Sequence, residues 1–358
     1  MEIHRVDPRF QFGFHPPHHT MSNSHCSILI TGGAGYIGSH TVRLLASQGR
    51  KIVVLDNLVF GHESAIVDPG VELVIGDVGD QTLVRSLFET HKFGAVIHFA
   101  AFAYVGESVT NPLKYYQNNT AEPIKLLQVM QEFGCKVFVF SSTCATYGVP
   151  EKLPITEANS QKPINPYGTS KLMVEMILAD CDSAWGLKSA CLRYFNASGC
   201  SADGLIGEDH NPETHLIPRV MMAVTGEIAF IEVFGTDYDT PDGTCIRDYI
   251  HVEDLADAHA RALEYLAKGG ASVQCNLGTG VGVSVKQIIE AVEKVSGKSV
   301  PVRYGPRREG DPASLVADPR LAENTLGWVA AHKDICQIVD SAWKWTSGPH
   351  QGHFPRNS

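Results

Sequence analysis

The sequence predicts an α/β protein, in which a doubly wound parallel sheet is joined by a smaller, interleaved C-terminal lobe. Apolar runs typical of buried parallel strands alternate with amphipathic helical patterns as far as Gly199. A glycine-rich loop directly follows the first of these runs. Beyond Gly199 the alternation loosens into polar, turn-rich segments, which predicts a second and less regular lobe.

The chain's first regular elements are a strand, a turn and a helix. The run SILIT, residues 27–31, is short, apolar and rich in β-branched residues, so it predicts a buried strand. TGGAGYIGSH, residues 31–40, supplies the turn. Residues 36–49 have apolar side chains at helical spacing, with Gly49 as the expected C-terminal cap. A second strand over residues 51–57 reaches Asp56.

This arrangement predicts a Rossmann-type dinucleotide site. Gly32, Gly35 and Gly38 are spaced three apart, and Gly33, Gly35 and Gly38 also fit G-x-G-x-x-G. Asp56 lies about 20 residues beyond the loop, where such folds place the acid that holds the adenosine ribose. The N-terminus of the helix can then face a pyrophosphate. An ordinary βαβ turn is the alternative interpretation.

The remaining elements follow the same two periodicities. Further strands are predicted over residues 71–78, 93–101, 136–143 and 189–199, and helices over 82–91, 111–134 and 167–181. We expect a kink or break at Pro123 within the second of these helices. Beyond Gly199, strands are expected over 231–235 and 245–252, and helices over 252–267 and 284–297.

These patterns predict four parts of the chain. Residues 1–26 form a disordered tail, 27–199 an NAD-binding Rossmann domain, 200–345 mainly the substrate-binding lobe with some segments returning to the sheet, and 346–358 a C-terminal tail. The HPPHH motif near the N-terminus could bind a metal, but a disordered tail is the favoured interpretation.

Composition restricts the protein's partners and compartment. A net charge of −10 argues against nonspecific nucleic-acid binding. No run of about 20 apolar residues is present, and the first 26 residues lack the apolar segment of a secretory signal. The nine cysteines are scattered, odd in number and without a C-x-x-C motif, which indicates free thiols. We therefore expect a cytoplasmic protein with no membrane partner.

The segment NPYGTSKLMVE is the most informative for catalysis. Tyr167 and Lys171 are four residues apart and share one face of a predicted helix. An ammonium near a phenol lowers the phenol's pKa, so we expect Lys171 to make Tyr167 a usable base. Ser141, Ser142 and Thr143 end the preceding strand, where a hydroxyl can bridge the phenol and a substrate oxygen. Helix or turn capping is the alternative role of these hydroxyls.

Together these residues resemble the extended short-chain dehydrogenase/reductase family, and within it the 4-epimerases of UDP-hexoses. The resemblance runs from about residue 27 to 345 and includes TGGAGYIGSHT, LDNL, VIHFAA, YYQNN, SSTCATYG, PYGTSKLMVE, LRYFNASG, NLGTG and RREGDP. It implies a tightly held NAD that accepts a hydride and returns it. The implied activity is reversible inversion at C4 of UDP-galactose or UDP-glucose through a 4-keto intermediate, by a homodimer.

The resemblance also implies roles for individual residues. Tyr167 is the base, Lys171 is its partner and Thr143 is the assisting hydroxyl. NAD is held by Gly32, Gly35, Tyr36, Ile37, Gly38, Asp56, Asn57, Asp77, Val78, Phe99, Ala100, Ala101, Asn118, Ser141, Tyr167, Lys171 and Tyr194. The nucleotide sugar contacts Thr143, Tyr167, Asn196, His215, Leu216, Arg247, Arg308, Asp311 and Leu315. No metal is implied.

Three positions depart from the family pattern. Ala103 stands where some epimerases have a lysine that contacts the cofactor, so one cofactor contact is expected to be missing or replaced. His215 stands where some epimerases have an asparagine. Leu315 occupies a position that sets the width of the sugar pocket. UDP-N-acetylhexosamines and UDP-xylose/UDP-arabinose therefore remain alternative substrates.

Three other functions are weighed against epimerisation. A 4,6-dehydratase would need an acid and a base after the catalytic hydroxyl, where this chain has Cys144 and Ala145. A non-catalytic dinucleotide-binding regulator would not need Tyr167 and Lys171. A reductase that uses NADPH is disfavoured because the carboxylate of Asp56 repels a 2′-phosphate.

Overall fold

The computed structural model of the chain describes residues 26–308 and 310–355. The HPPHH motif, and the predicted N-terminal tail except for its last residue, lie outside the described residues.

The described part of the chain forms thirteen strands. In chain order they are β1 (Ile28–Thr31), β2 (Ile52–Asp56), β3 (Glu72–Ile75), β4 (Ala95–His98), β5 (Val137–Thr143), β6 (Lys188–Tyr194), β7 (Asn196–Ser198), β8 (Ile231–Phe234), β9 (Ile246–His251), β10 (Val273–Leu277), β11 (Gly282–Ser284), β12 (Val302–Gly305) and β13 (Ser314–Leu315).

Eleven α-helices connect these strands within the same residues. They are α1 (Tyr36–Ser47), α2 (Gln81–His91), α3 (Val105–Thr110), α4 (Pro112–Tyr116), α5 (Glu122–Glu132), α6 (Pro166–Trp185), α7 (Leu216–Thr225), α8 (Val252–Ala267), α9 (Val285–Ser296), α10 (Arg320–Leu326) and α11 (Ile335–Ser347).

Seven parallel strands form the main sheet, in the order β3-β2-β1-β4-β5-β6-β10. The order reverses between β1 and β4, which is the switch point where open α/β sheets bind their ligands. The predicted doubly wound Rossmann-type sheet is confirmed.

Successive side chains of each buried strand point to opposite faces of this sheet. Ile28 and Ile30 therefore pack on one face with α1, α8 and α10. Leu29 packs on the other face with α2, α5 and α6. Covering both faces explains why the strands are continuous apolar runs rather than alternating ones.

The smaller lobe is built around β9. This strand pairs with β7 and β13 in parallel and with β11 in antiparallel, while β8 and β12 form a separate parallel pair. Helices α7, α9 and α11 supply its apolar core. Only Phe195 separates β6 of the main sheet from β7 of the lobe, so the two sheets meet beside the catalytic strands.

The predicted helix over residues 111–134 is divided into three parts. A π-helical segment, Gln117–Ala121, separates α4 from α5. Pro123 lies in the first turn of α5, where its missing N–H is tolerated. The expected interruption is therefore present, but it precedes the proline.

The end of the described chain packs onto the body of the protein. Phe354 is buried, and its ring centroid lies 4.8 Å from that of Trp345 and 4.9 Å from that of His62. Its backbone N–H donates to Asp209 Oδ2 at 2.9 Å. The predicted domain limits at 27–199, 200–345 and 346–358 stay a prediction.

Within the described ranges, no helix combines the length and the apolar character that crossing a membrane requires.

Candidate active site

A cavity of about 850 Å³ opens at the carboxyl ends of the main-sheet strands, between the sheet and the smaller lobe. Almost all residues predicted for the site line it. They are Gly32, Gly35, Tyr36, Ile37, Gly38, Asp56, Asn57, Asp77, Val78, Phe99, Ala100, Ala101, Asn118, Ser141, Thr143, Tyr167, Tyr194, Asn196, His215, Arg247, Arg308, Asp311 and Leu315.

Lys171 and Leu216 are the two predicted residues that do not line this cavity. Lys171 is buried behind the wall, where its Nζ donates to the backbone oxygen of Ser141 at 2.9 Å. Leu216 begins α7 and packs against the apolar core of the smaller lobe, and its contact with a substrate stays a prediction.

The glycine loop brings backbone close to backbone. Gly32 has φ +71°, and a Cβ there would lie 2.4 Å from the N atom of Ala100. A Cβ on Gly38 would lie 2.2 Å from the carbonyl oxygen of Gly32. Gly33 instead packs on the side chain of Val54, so the glycines of this loop that line the cavity are Gly32, Gly35 and Gly38.

This cradle fits the diphosphate of a dinucleotide. Gly35 precedes α1, and among the described residues no side chain caps that helix. The first-turn N–H groups of α1 therefore remain available to an anion, with the positive end of the helix dipole behind them.

Asp56 ends β2 at the far side of the loop. Its two oxygens accept hydrogen bonds from the N–H groups of Ala34 and Leu58, each at 2.9 Å. Burial raises the pKa of the Asp56 carboxyl above its usual value. Asn57 donates to Asp77 Oδ2 at 3.1 Å, so the ends of β2 and β3 form one polar rim suited to a ribose and an adenine.

Helix α6 presents Tyr167 to the cavity because its first turn packs closely against the residues that follow β5. Asn165 caps the helix by accepting the N–H of Gly168 at 2.8 Å. A Cβ on Gly168 would lie 2.5 Å from the carbonyl oxygen of Ala145, so only glycine allows this approach. Tyr167 is thereby held at the end of β5, beside Thr143.

The pKa values at this pair differ from the sequence-based expectation. From the sequence we expect Lys171 to lower the pKa of Tyr167. In the structure, burial raises the pKa of Tyr167 well above its usual value, and Tyr194 adds to the rise. Burial also lowers the pKa of Lys171 to about 7, although Glu175 acts in the opposite direction. Desolvation, which a sequence pattern does not reveal, outweighs the pairing.

The three hydroxyls that end β5 have separate roles. Ser141 lies 2.5 Å from the hydroxyl of Tyr194 inside the cavity. Ser142 points away from it and donates to Glu175, also at 2.5 Å. Glu175 forms a buried ion pair with Arg193 at 2.6 Å. Ser142 thus belongs to the core behind the site, and Thr143 is the hydroxyl beside the phenol.

The π-helical segment is hydrogen-bonded to the neighbouring wall of the cavity through Asn119. Asn119 is buried, and its amide exchanges hydrogen bonds with the backbone of Phe102 at 2.9 Å in both directions. It also donates to Ser170 Oγ at 3.2 Å and accepts from Asn118 at 2.9 Å. Asn118 was predicted for the site, whereas its neighbour Asn119 was missed because the sequence does not show that its amide pairs with the distant backbone of Phe102.

The lobe side of the cavity carries the predicted substrate contacts. Arg247 donates to the carbonyl oxygens of Ile246 and Pro312 at 2.8 and 3.0 Å and lies 3.6 Å from Asp311. The guanidinium of Arg308 stacks 4.5 Å from the ring of Phe234. Two arginines held at one end of a cavity provide paired donors suited to a diphosphate.

Leu315 sits directly beside Arg247, because β13 pairs with β9 in that register. It lines the cavity and also packs against a small buried cluster that contains Tyr147 and Ile155. Leu315 is therefore both part of the cavity wall and in contact with buried core residues.

Several residues that line the cavity were not predicted. The aromatic rings of Phe60, Phe102 and Tyr104 form one wall, in which the ring centroid of Phe60 lies 5.7 Å from that of Phe102 and 5.0 Å from that of Tyr104. Ala103 lies on the same wall, so a position that is a lysine in some relatives is here a small apolar side chain.

A polar cluster at the rim was also largely missed. Glu208, His210, Glu213 and His215 lie together in a turn-rich segment, and only His215 was predicted. Burial alone would lower the pKa of both histidines, but the two carboxylates outweigh it. The pKa of His210 is raised to about 9, and that of His215 is raised well above its usual value.

Comparison with known proteins agrees with this geometry. The model of the NAD dependent epimerase/dehydratase family matches residues 28–278. A UDP-glucose 4-epimerase of Streptococcus mutans is 50% identical over 333 residues, which cover 92% of this chain and all of that protein.

Solved structures of similar proteins share the fold. The UDP-glucose 4-epimerase of Brucella ovis in complex with NAD is 51% identical, with a TM-score of 0.87, covering 89% of this chain and 98% of that one. The enzyme of Bifidobacterium longum in complex with NAD⁺ and UDP is 40% identical, with a TM-score of 0.85, covering 90% and 98%.

Proposed function

This chain belongs to the NAD dependent epimerase/dehydratase family, and from that premise we propose how its residues carry out epimerisation. The activity is the NAD-dependent, reversible inversion at C4 of a UDP-hexose, UDP-galactose or UDP-glucose, through a 4-keto intermediate. When bound, NAD supplies the hydride acceptor and donor and, in its oxidised form, a positive charge in the site. The observation that carries the residue assignment is Tyr167 beside Thr143 at the end of β5, facing the cavity.

Tyr167 is the proton acceptor and donor at the sugar 4-oxygen. Its burial raises the pKa of the phenol, so added positive charge is required for it to work as a base near neutral pH. Thr143 hydrogen-bonds to the phenol and to the same sugar oxygen. Lys171 acts from behind the wall, where it is fixed on Ser141.

Epimerisation requires firm anchoring of the nucleotide and loose holding of the sugar, because the keto sugar must turn over between the two half-reactions. Arg247 and Arg308 anchor the diphosphate. The cavity of about 850 Å³ that these arginines line provides the space in which the sugar turns. Most of the binding energy then comes from the UDP part of the substrate, which does not react.

A dehydratase is disfavoured by the residue that follows Thr143. Burial raises the pKa of the Cys144 thiol to about 12, so it is a poor proton donor or acceptor at neutral pH.

Turnover of UDP-galactose by the purified protein without added cofactor tests the proposal. Denaturation should release NAD(H); finding NADP, or no nucleotide and no binding, would contradict it. Tyr167→Phe should cost about 10²–10⁴-fold in turnover, and Thr143→Ala much less, because water can partly replace the hydroxyl. Equal, small losses in both variants would place the base elsewhere.

We further propose that the protein is a homodimer. Val109, Leu113, Met173 and Met176 are exposed apolar side chains on α3, α4 and α6, which pack against one another. Pairing of this face with a second copy would bury it. Light scattering at micromolar concentration checks the mass, and Leu113→Asp should yield monomers; a monomeric parent protein would contradict the proposal.

A cytoplasmic location and the four-part division of the chain are proposed as well. Among the described residues no disulfide is formed, although Cys191 and Cys275 lie in the adjacent strands β6 and β10. Thiols in this state suit a reducing compartment. Fractionation of the native cells, and limited proteolysis at the proposed limits, test the two statements.

A further inference from the structure

We propose that Glu208, His210, Glu213 and His215 form a binding site for a divalent transition-metal cation, with Zn²⁺ the favoured ion. The site lies at the rim of the cavity, between Tyr36 at the glycine loop and the N-terminus of α7. Neither the proposed catalysis nor its cofactor requires such an ion, so the inference stands independently of them.

The donor atoms are already spaced as ligands around one ion. His215 Nδ1 lies 2.8 Å from Glu208 Oε1 and 2.9 Å from Glu213 Oε1. His210 Nδ1 lies 3.3 Å from Glu208 Oε1 and 3.6 Å from Glu213 Oε2. For metal–ligand bonds of about 2.1 Å, neighbouring ligand atoms lie about 3.0 Å apart in an octahedron and about 3.4 Å apart in a tetrahedron. The four donors therefore surround a space of the right size.

The chemistry of the donor set selects the class of ion. Two imidazole nitrogens and two carboxylate oxygens suit Zn²⁺ and its first-row neighbours, whereas Mg²⁺ and Ca²⁺ prefer oxygen ligands alone. The side chains of Glu208 and Glu213 are each only 7% exposed, so their two negative charges need compensation close by. In the metal-free chain the imidazoles of His210 and His215 supply it in their protonated form; a divalent cation would take the place of the two imidazole protons and leave the rings neutral.

His210 distinguishes a metal site from a cluster of hydrogen-bonded ion pairs. Its Nδ1 is inaccessible to solvent and, among the described residues, has no hydrogen bond of acceptable geometry, although it faces both carboxylates. Its two contacts are ion pairs without a hydrogen bond, which is a costly state for a buried imidazole nitrogen, and metal coordination would satisfy it.

The surrounding chain holds the carboxylates in place. The N–H groups of Thr214 and His215 donate to Glu213 Oε1 at 2.6 and 2.7 Å. On the other side, the backbone oxygen of Glu208 accepts a hydrogen bond from Trp345 Nε1 at 3.0 Å, and the next residue, Asp209, accepts one from the N–H of Phe354 at 2.9 Å. Ligands that are oriented by further hydrogen bonds are typical of metal sites.

A second cluster of the same residue types provides a matched control. His251, Glu253 and His332 also bring donor atoms within 4.8 Å of one another. There, however, His251 already accepts from the N–H of Glu253 at 3.2 Å and contacts Ser341 Oγ at 3.0 Å. His332 Nδ1 is engaged by Asp254 at 3.0 Å. That cluster is satisfied by the protein itself and is not expected to bind an ion.

The test uses the full chain without an affinity tag. Because the HPPHH motif would bind metals by itself, His15, His18 and His19 are replaced by alanine in every sample. The protein is treated with chelator, dialysed and titrated with Zn²⁺ by calorimetry, with metal content measured by mass spectrometry. We expect about one equivalent of Zn²⁺, a rise in Tm on its addition, and visible absorption bands of coordinated Co²⁺ when Co²⁺ replaces it.

His210→Gln should weaken Zn²⁺ binding by at least about 100-fold, more than the loss of an outer hydrogen bond costs. His332→Gln should leave the affinity unchanged. Failure of the parent chain to bind Zn²⁺ or Co²⁺ overturns the proposal without any variant. The proposal is also overturned if the His210→Gln variant binds Zn²⁺ as tightly as the parent chain, or if His332→Gln abolishes binding.

Discussion

Substitution of Gly38 by alanine should displace the start of α1 and release the cofactor. The new Cβ would lie 2.2 Å from the carbonyl oxygen of Gly32 and 2.8 Å from the Cα of Gly33. Ordinary contact begins at 3.4 Å, so helix and loop must separate by about 1.2 Å, the difference between 3.4 and 2.2 Å. Both neighbours are backbone atoms, and no rotamer change can relieve the clash.

The expected cost has two parts. Overpacking of this kind destabilises a protein by about 1–3 kcal/mol. The larger effect is on function, because the N–H groups of α1 move away from the position that a diphosphate would occupy, and misplacement of about 1 Å can cost about 100-fold in rate. We therefore expect Gly38→Ala to fold but to lose most of its bound NAD and most of its turnover.

The assay is the amount of NAD(H) released on denaturation per chain, with circular dichroism to verify folding. Gly49→Ala is the matched control at the other end of α1. Gly49 has φ +74° with no atom within 4 Å of its added Cβ, so alanine costs about 1 kcal/mol of backbone strain without touching the loop. If Gly38→Ala retains as much NAD as Gly49→Ala, the glycine loop is not the cofactor cradle.

Three further outcomes are expected. Burial lowers the pKa of His98 to about 3, whereas its pKa in the unfolded chain is about 6.5. The unfolded chain therefore binds a proton at His98 that the folded protein does not bind as the pH falls below 6.5. The free energy of unfolding should fall for this reason by about 2 kcal/mol between pH 7 and pH 5. His98→Asn should reduce the acid loss by that amount in urea unfolding, and an unchanged pH dependence would refute the assignment. Arg247→Lys should raise KM for the UDP-sugar about tenfold with little change in kcat. The control is Arg307→Lys, at an exposed arginine that is paired with Asp237, and it should change neither KM nor kcat. A fall in kcat alone in Arg247→Lys would argue against a uniform anchoring role. Leu315→Tyr should suppress weak activity on N-acetylated sugars and spare the plain hexoses, and an equal effect on both, or a loss of stability only, would make Leu315 a core residue.

Local chain geometry made the central features readable from the sequence. The strand–turn–helix of the glycine loop and the four-residue spacing of Tyr167 and Lys171 both depend on contacts between near neighbours. The same reasoning could not show that Lys171 would reach behind the wall to Ser141, because that path depends on the packing of α6 against β5. It also could not show that burial raises the pKa of Tyr167, since burial is a property of the folded chain.

Features assembled from distant segments were not predicted. β10 is only five residues long and contains Gln274 and Asn276, so it lacks the apolar run that marks a buried strand, yet it extends the main sheet beside β6. The cluster of Glu208, His210, Glu213 and His215 lies in a segment without periodicity. Its donor atoms converge only because the chain turns back before α7.

The π-helical segment Gln117–Ala121 makes this wall of the cavity sensitive to the deletion of a single residue. A π turn holds one more residue than an α turn, so deleting one residue there would allow a continuous helix from α4 to α5. Each helical residue advances the chain by about 100°, and α4 would rotate by that angle relative to α5. Asn118 and Asn119 could not then both keep their places, one in the cavity and the other on Phe102. Among homologous sequences, a one-residue gap within 117–121 should therefore coincide with a rebuilt wall on this side of the cavity.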